Sequence, residues 1–560
     1  MKAILLVEYG LTLVAAVIVL SVPSFARPDK ARKLWFLFGR LAHRRALSII
    51  AVGIFALSLR VAVLPRMPVP EPQIHDEFSY LLAADTFASG RLTNPAHPLW
   101  THFESFHINQ QPTYASMYPP AQGLVLAAGK VFAGNAWVGV LVSVSLMCAA
   151  LCWMLQGWLP ARWALLGGLI AVIRISTFSY WGNSYWGGAV AAAGGILVLG
   201  AFPRLLHHRP RLRDVLALGF GVIILANSRP YEGLILCLGV TVAVLPTIFR
   251  RRLFYAKSLL KPPMLVLPLL LITTAVMMGY YFWRVTGSPF RMPYQINQQT
   301  YAMGQALLWQ SPKPGLQYRH REMRNFYEAW LETQVRARST LRGFVANTLG
   351  KVGGTGMFFL GPLLTLSLVG LPRALLDRRI RMLVIIGGVG TLGLLAETWF
   401  QPHYVAPFTG LIYVLLLQSM RHLSFSRWRG WRVGHLLVLS IPFVALLMAV
   451  FVLIRLPATP VHDPSFGSWC CVQTGPTDRS RLLASLRDRG GRHLVIVQYG
   501  PAHDVDAEWV YNEADIDNAE VVFARDMGAA DNAALIQYFG DRKVWLLEAD
   551  DTPPTVRPFR

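Results

Sequence analysis

Two adjacent carboxylates, Asp76 and Glu77, stand in the stretch Ile74-His75-Asp76-Glu77-Phe78-Ser79-Tyr80, about a dozen residues after an apolar run ending near Leu64. A carboxylate in such a place can take a proton from a hydroxyl as a general base, or orient a metal ion. Acids are scarce around it. The first 455 residues hold 14 Asp and Glu against 43 Lys and Arg, and five of the 14 (Glu71, Asp76, Glu77, Asp85, Glu104) lie between positions 71 and 104. A plain solvated loop pair is the competing explanation. Against it, Phe78, Leu81, Leu82 and Asp85 recur at i, i+3, i+4 and i+7, which predicts a helix over Phe78–Phe87. That helix is expected to lie along the membrane and hold the pair near the bilayer surface.

Other groups could share the chemistry. Arg229 ends an apolar run and is followed by Pro230 and Glu232. An arginine there is costly unless it is paired or functional, so an Arg229–Glu232 ion pair holding a bend and a ligand contact are both open readings. Glu397, His403 and Tyr404 flank Gln401-Pro402, as a polar cluster or a capped turn. His102, Glu104 and His107 fall within six residues, but the segment is loop-like and lacks a fourth ligand, so no metal is expected. Five cysteines add no ligand spacing either. Arg319, His320, Arg321 and Arg324 open an amphipathic stretch to Arg338, read as a solvated outer face that can attract phosphate. The aromatic run from Ser179 to Gly188, with Tyr180, Trp181, Asn183, Tyr185 and Trp186, is expected at the outer membrane interface.

The elements that must position these residues are membrane spans. The chain has 560 residues, 54% hydrophobic and 15% charged; a soluble protein would carry about 25% charged residues. Apolar runs predict about twelve transmembrane helices, near 3–22, 46–64, 136–156, 163–178, 187–203, 214–228, 231–249, 264–283, 354–371, 382–399, 404–420 and 434–455. Residues 3–22 read as a retained span rather than a signal segment. The formal charge of +23 suggests nucleic acid, yet the distribution argues against it. Residues 456–560 carry 16 acids against 10 Lys and Arg, and the basic residues of the rest cluster in short loops between spans. That pattern is the positive-inside rule, with no nucleic-acid partner expected. It places the first long loop (65–135) and a second (284–350) outside, together with both termini. In the first loop, Ala121–Ala133 holds Lys130 and reads as an interfacial helix.

Residues 456–560 differ in kind. His493–Tyr499 and Lys543–Leu547 read as buried strands, Ala519–Ala524 as a weaker third and Ala529–Phe539 as a helix. The organisation expected is a transmembrane domain over 1–455 and a small α/β soluble domain over 456–560, outside the membrane.

At the outer loop the sequence resembles a known family. His75-Asp76-Glu77-Phe78-Ser79-Tyr80-Leu81-Leu82-Ala83-Ala84-Asp85-Thr86-Phe87, then Met117-Tyr118-Pro119-Pro120-Ala121-Gln122-Gly123, looks like the GT-C membrane glycosyltransferases. It looks closest to the protein O-mannosyltransferase and lipid A aminoarabinose transferase group. The resemblance covers residues 46–250 well and 264–455 only as a pattern of spans. It implies an α-helical polytopic GT-C-like fold in a bacterial inner (plasma) membrane. It also implies transfer of a sugar from a polyprenyl-phosphate carrier in the bilayer to a glycan, lipid or protein acceptor at the outer face, without a nucleotide sugar. Asp76 would deprotonate the acceptor hydroxyl and Glu77 would orient the acceptor or Asp76. His75, Tyr80, Tyr118, Asn183, Tyr185, Arg229, Glu232, His403 and Tyr404 would contact donor or acceptor, Arg229 at the phosphate. The family often carries a second acid near a later span. No Asp or Glu occurs between Glu104 and Asp214 here, and the matching stretch offers Asn183 and Tyr185 instead. No obligatory metal or other cofactor is expected. A flippase or transporter of lipid-linked glycans and an O-antigen ligase-like protein are the competing functions; the ligase would depend on the Arg and His of the later loop.

Overall fold

The structure is a computed structural model describing residues 2–21, 32–207, 210–250, 262–313, 315–428, 430–455, 467–471 and 475–559. The predicted basic segment around Arg27 and Lys30, much of the 250–261 cluster, and the boundary at 455/456 lie partly or wholly outside the described residues.

Apolar helices dominate the first 455 residues. Eight are long and apolar enough to cross a membrane: Ile4–Ser21, Arg45–Ala62, Ala136–Leu155, Ala189–Leu206, Pro230–Thr247, Pro262–Thr286, Pro402–Ser424 and Val433–Arg455. Shorter apolar helices occupy the other predicted spans, at Ala161–Ala171, Leu212–Ala226 and Arg381–Leu395. The span expected at 354–371 is not continuous. A helix over Leu341–Phe359 stops at Leu360, and Gly361–Leu375 leaves it at 103°. Gly361 sits at φ +56, and a Cβ there would run into the Arg174 guanidinium, so both the turn and the close approach require glycine.

The outer loop is built from short elements. α4 is His75–Ala88, following α1 (Lys2–Ser21), α2 (Arg32–His43) and α3 (Arg45–Ala62). A small antiparallel sheet follows, with β3 (Thr113–Ser116) between β1 (Asn94–Pro95) and β2 (Ile108–Asn109). α5 is Pro120–Ala133, close to the expected interfacial helix. Proline opens it and Gly134 closes it at φ +69. Asn135 then accepts from Trp137 N at 2.8 Å and caps α6 (Ala136–Leu155).

α4 departs from the expectation of a helix lying along a surface. Tyr80 and Ala84 belong to the core of the helical bundle. Phe78 and Leu82 lie in a different core, shared with Leu494, Ile496, Tyr511, Val522 and Leu535. The helix is therefore buried between the bundle and the C-terminal residues. A helix apolar on more than one face has to be covered on more than one face.

Those C-terminal residues form a four-stranded sheet. β4 (His493–Gln498) is central, parallel to β5 (Val521–Arg525) on one side and to β6 (Lys543–Glu548) on the other. β7 (Thr555–Pro558), not foreseen from the sequence, pairs antiparallel to β6. The helix Ala529–Tyr538 links β5 to β6 as expected of a parallel crossover. β4 is buried as predicted and β5, the weaker third strand in the sequence, is buried throughout, whereas β6, expected to be buried, is only half-buried.

Candidate functional site

Asp76 occupies the first turn of α4, where unpaired backbone N–H groups favour negative charge. Its side chain keeps 20% of its surface open. The Tyr118 hydroxyl donates to Asp76 Oδ1, and His107 Nδ1 lies 3.6 Å from Oδ2. The same His107 nitrogen lies 3.0 Å from the Tyr118 oxygen. Burial works to raise the Asp76 carboxyl, but the charge and hydrogen bond of His107, the Tyr118 hydroxyl and His403 outweigh it and hold it well below the usual carboxylate range. Asp76 is thus an anion throughout the physiological range.

Its neighbour Glu77 has a different task. Glu77 Oε2 accepts from the backbone N of Gln73 (2.8 Å) and Ile74 (3.3 Å), and Oε1 accepts from Tyr185 N at 2.9 Å. It caps α4 and ties it to the aromatic stretch after residue 178. Burial pushes its carboxyl up to about 7, with those three N–H groups pulling the other way. The pair that looked alike in sequence divides into an open carboxylate and a structural clasp.

The aromatic stretch is scaffold and not an interface belt. Tyr180 and Trp181 are fully buried. A Cβ on Gly182 would meet Ser176 O at 2.1 Å, so the chain can fold back on itself only with glycine there. Asn183 accepts from Arg60 Nε at 3.0 Å and donates to Thr177 O and Ser179 O. Both its amide hydrogens are occupied, which places Asn183 in the scaffold and not in a binding role. Tyr185 likewise gives its hydroxyl to Pro70 O at 3.0 Å. Burial explains both, since polar groups taken out of water must find partners inside.

A second charged group stands on the bundle side. Arg229 lies at the turn between the helices Leu212–Ala226 and Pro230–Arg250. It donates to Glu232 at 3.4 Å and lies over the Tyr404 ring, 4.6 Å from its centre. Burial works against its charge; Glu232 more than offsets that, and Tyr80, Tyr404 and Tyr118 also lie within its field. Tyr80 and Tyr118 stack at 4.5 Å, bridging the space between Arg229 and Asp76. Among the described residues Glu232 is the one hydrogen-bond partner of the Arg229 guanidinium, so most of its five N–H groups stay uncommitted. His403 is buried, hydrogen-bonded to the Tyr180 hydroxyl at 2.9 Å, and its ring is 5.0 Å from Tyr404. Asp76, Tyr80, Tyr118, Arg229, Glu232, His403 and Tyr404 therefore form one cluster.

His75 turns away from it. Its Nδ1 is 2.7 Å from the Tyr511 hydroxyl, and its Nε2 is 3.8 Å from Asp506. Burial drives its ring down to about 3, so it is neutral. The trio His102, Glu104 and His107 is split. His102 faces Arg525 O at 3.1 Å, Glu104 accepts from Tyr301 at 3.0 Å, and His107 faces Asp76. Among the described residues no three His, Cys, Asp or Glu converge as metal ligands. The basic stretch from Arg319 keeps Arg319, Arg321 and Arg324 exposed, as a solvated face should, but it is also tied to its neighbours. Arg321 donates to Gly500 O at 2.5 Å, and buried His320 lies 2.9 Å from Thr101 O. Sequence reasoning had no signal for the His107–Asp76 contact: 31 positions separate the two residues, and β2 and β3 bring them together.

The chain superposes on a transferase, ArnT from Cupriavidus metallidurans bound to undecaprenyl phosphate, with a TM-score of 0.50 and 12% identity, over 90% of this chain and 93% of that one. The fold is that of the GT-C membrane glycosyltransferases. ArnT from the same organism in its apo state gives a TM-score of 0.48 at 12% identity, over 89% and 93% of the two chains. The Archaeoglobus fulgidus oligosaccharyltransferase tethered to an acceptor peptide gives 0.46 at 11% identity, over 90% and 69%. No protein-family model matches the sequence, and no curated protein matches it. Within the GT-C fold, the described helices include eight fit to span a membrane, and the chain is an integral membrane protein.

Proposed function

We propose that the chain is a membrane glycosyltransferase that moves a sugar from a polyprenyl-phosphate carrier onto an acceptor hydroxyl at the extracytoplasmic face. One observation carries the reading. An ionised, partly open carboxylate and a partly open arginine with a single side-chain partner are linked through the stacked Tyr80 and Tyr118 rings, Tyr118 bonding Asp76 and both tyrosines lying within the field of Arg229. Arg229 would hold the carrier phosphate, since a guanidinium suits phosphate oxygens. Asp76 would be the centre at which the acceptor gives up its proton. Attack by the acceptor oxygen at the anomeric carbon would release the carrier phosphate with inversion. Arg229 would stabilise the charge gathering on that leaving group. Tyr80, Tyr404 and His403 would line the sugar pocket, and Glu232 would hold Arg229 in place. No step draws on a metal. Residues 456–560 would form a unit on the same side as Asp76. The ligase alternative needs Arg and His free in the later loop, and Arg321 and His320 are occupied in contacts with Gly500 and Thr101.

The test uses the purified full chain in lipid nanodiscs, a panel of undecaprenyl-phosphate monosaccharides as donors, and membranes of a deletion strain as acceptor source. Expected is release of undecaprenyl phosphate that depends on Asp76 and Arg229. Turnover unchanged in Asp76→Asn at normal thermal stability would overturn the reading.

A further inference from the structure

His107 has an unusual backbone. Among the described residues it alone of the non-glycines has positive φ, +60. Such a conformation persists only where its surroundings enforce it, and it gathers at functional sites. Here the His107 carbonyl accepts from Ser79 Oγ at 2.7 Å and from Met117 N at 3.1 Å. The ring is boxed edge-on by Tyr118, Phe326 and His75, with centroids 5.8, 5.7 and 5.9 Å away. Backbone and ring are both fixed, and what they aim is Nδ1, toward Tyr118 and Asp76.

Counting hydrogens settles the tautomer. The Tyr118 hydroxyl has one hydrogen, and it goes to Asp76 Oδ1. The 3.0 Å contact between Tyr118 oxygen and His107 Nδ1 therefore needs the hydrogen to come from Nδ1. That N–H also points toward Asp76 Oδ2 at 3.6 Å. In the neutral ring Nε2 then carries the lone pair. Among the described residues the ring's hydrogen-bond and ion-pair contacts all run through Nδ1, and the side chain keeps 11% of its surface open. A histidine oriented by a carboxylate through Nδ1, with Nε2 free, is the arrangement in which imidazole takes a proton.

We propose that His107 and Asp76 work as a dyad, in which His107 Nε2 takes the proton from the acceptor hydroxyl and Asp76 orients the ring and stabilises the imidazolium. The proposal rests on the glycosyl-transfer reading and relocates the proton within the same centre. The acceptor O–H bond breaks, and its hydrogen goes to Nε2. The oxygen electron pair forms the new bond to the anomeric carbon. The carbon–oxygen bond to phosphate breaks, its electrons leaving with the phosphate. Nε2 afterwards returns its proton to water. Asp76 alone suits the base role less well: it is held below the usual carboxylate range, and a general base works best when its affinity for protons matches the working pH.

The groups facing the ring are few. Asp76 and His75 come from α4 and Tyr118 from the turn before α5. Phe326 of the helix Arg321–Ser339 carries no charge. Asp506 lies behind His75, and Glu508, from the segment between β4 and β5, and Arg525, from β5, reach His75. His75 is already neutral across the working range, so it supplies no acid-side loss of activity.

The experiment is the pH dependence of kcat/KM in the nanodisc assay with undecaprenyl-phosphate monosaccharides and deletion-strain membranes. The wild type is expected to lose activity toward acid. His107→Gln should fall at least about 100-fold and lose that acid limb. His107→Ala should regain activity with added imidazole, and Tyr118→Phe should keep the limb. A wild-type profile with no acid limb overturns the dyad without recourse to any variant. So does a folded His107→Gln within about threefold of wild type; if Asp76→Asn is then inactive, glycosyl transfer stands. If Asp76→Asn and His107→Gln both remain active, both readings fall.

Discussion

Two charged clusters lie near α4, one reaching it at Asp76 and the other acting on His75, and they differ in what they leave over. Around Arg525, in β5, little capacity remains. Its guanidinium is fully buried, donates to Glu104 O at 2.6 Å and to Glu508, reaches Glu322 at 3.5 Å, and lies near the Tyr499 ring. Burial works against its charge, and Glu508, Tyr499 and Glu322 more than restore it. Around Asp76 and Arg229 the same residue types are left partly open and partly unpaired. A satisfied cluster holds the C-terminal sheet to the loop. An unsatisfied one can bind and react. Charge density alone would have ranked the Arg525 cluster higher; residual hydrogen-bonding capacity ranks it lower.

The contrast can be broken from either side. Asp76→Asn is expected to reduce turnover roughly 100- to 10,000-fold, with the thermal midpoint close to wild type; a collapse of stability instead would make Asp76 structural. Arg525→Met should do the reverse, lowering stability by about 3–5 kcal/mol because Glu508 is left buried without its cation. Denaturation followed by Trp fluorescence would read this, and an unchanged midpoint would remove the latch. Arg229→Gln should weaken undecaprenyl phosphate binding by about 1.5–3 kcal/mol, the range for hydrogen bonds to charged groups. Binding measured by calorimetry checks it, and salt dependence should shrink with it. The smallest effect is on Glu77. Its carboxyl is raised in the fold to about 7 from an ordinary 4.5. The folded state therefore holds that proton more tightly, and the associated stability is present at low pH and lost as pH rises through about 7. The stability gap between wild type and Glu77→Gln should narrow from pH 5 to pH 9; a gap that widens would mean the N–H clasp governs instead.

Much of the architecture was legible because spans announce themselves locally. Runs of apolar residues gave the helices, and Pro119-Pro120 and Gly134 marked the ends of α5. Strand periodicity found β4, and the loop before Ala529 separated β5 from its crossover helix. Leu360-Gly361 looked like ordinary span sequence, because a break forced by the Arg174 guanidinium is a tertiary fact. Within the site, Asp76 and Arg229 could be picked out because charge beside apolar runs demands a reason. Glu77, Asn183 and Tyr185 looked like orienting or contact residues, since only the fold shows that backbone groups already occupy them. His107 was visible only as one of three neighbouring ligand types, and the fold sent each of the three elsewhere.

The divided burial of α4 bears on how the molecule is made. Phe78 and Leu82 find part of their core in Leu494, Ile496, Val522 and Leu535, more than 400 positions later in the chain. During synthesis α4 has no access to that half of its surroundings until the last strands have emerged. The ribosome thus delivers the carboxylate early and its setting late. A nascent or truncated chain carries Asp76 without the geometry to use it, which delays competence until the whole polypeptide is made.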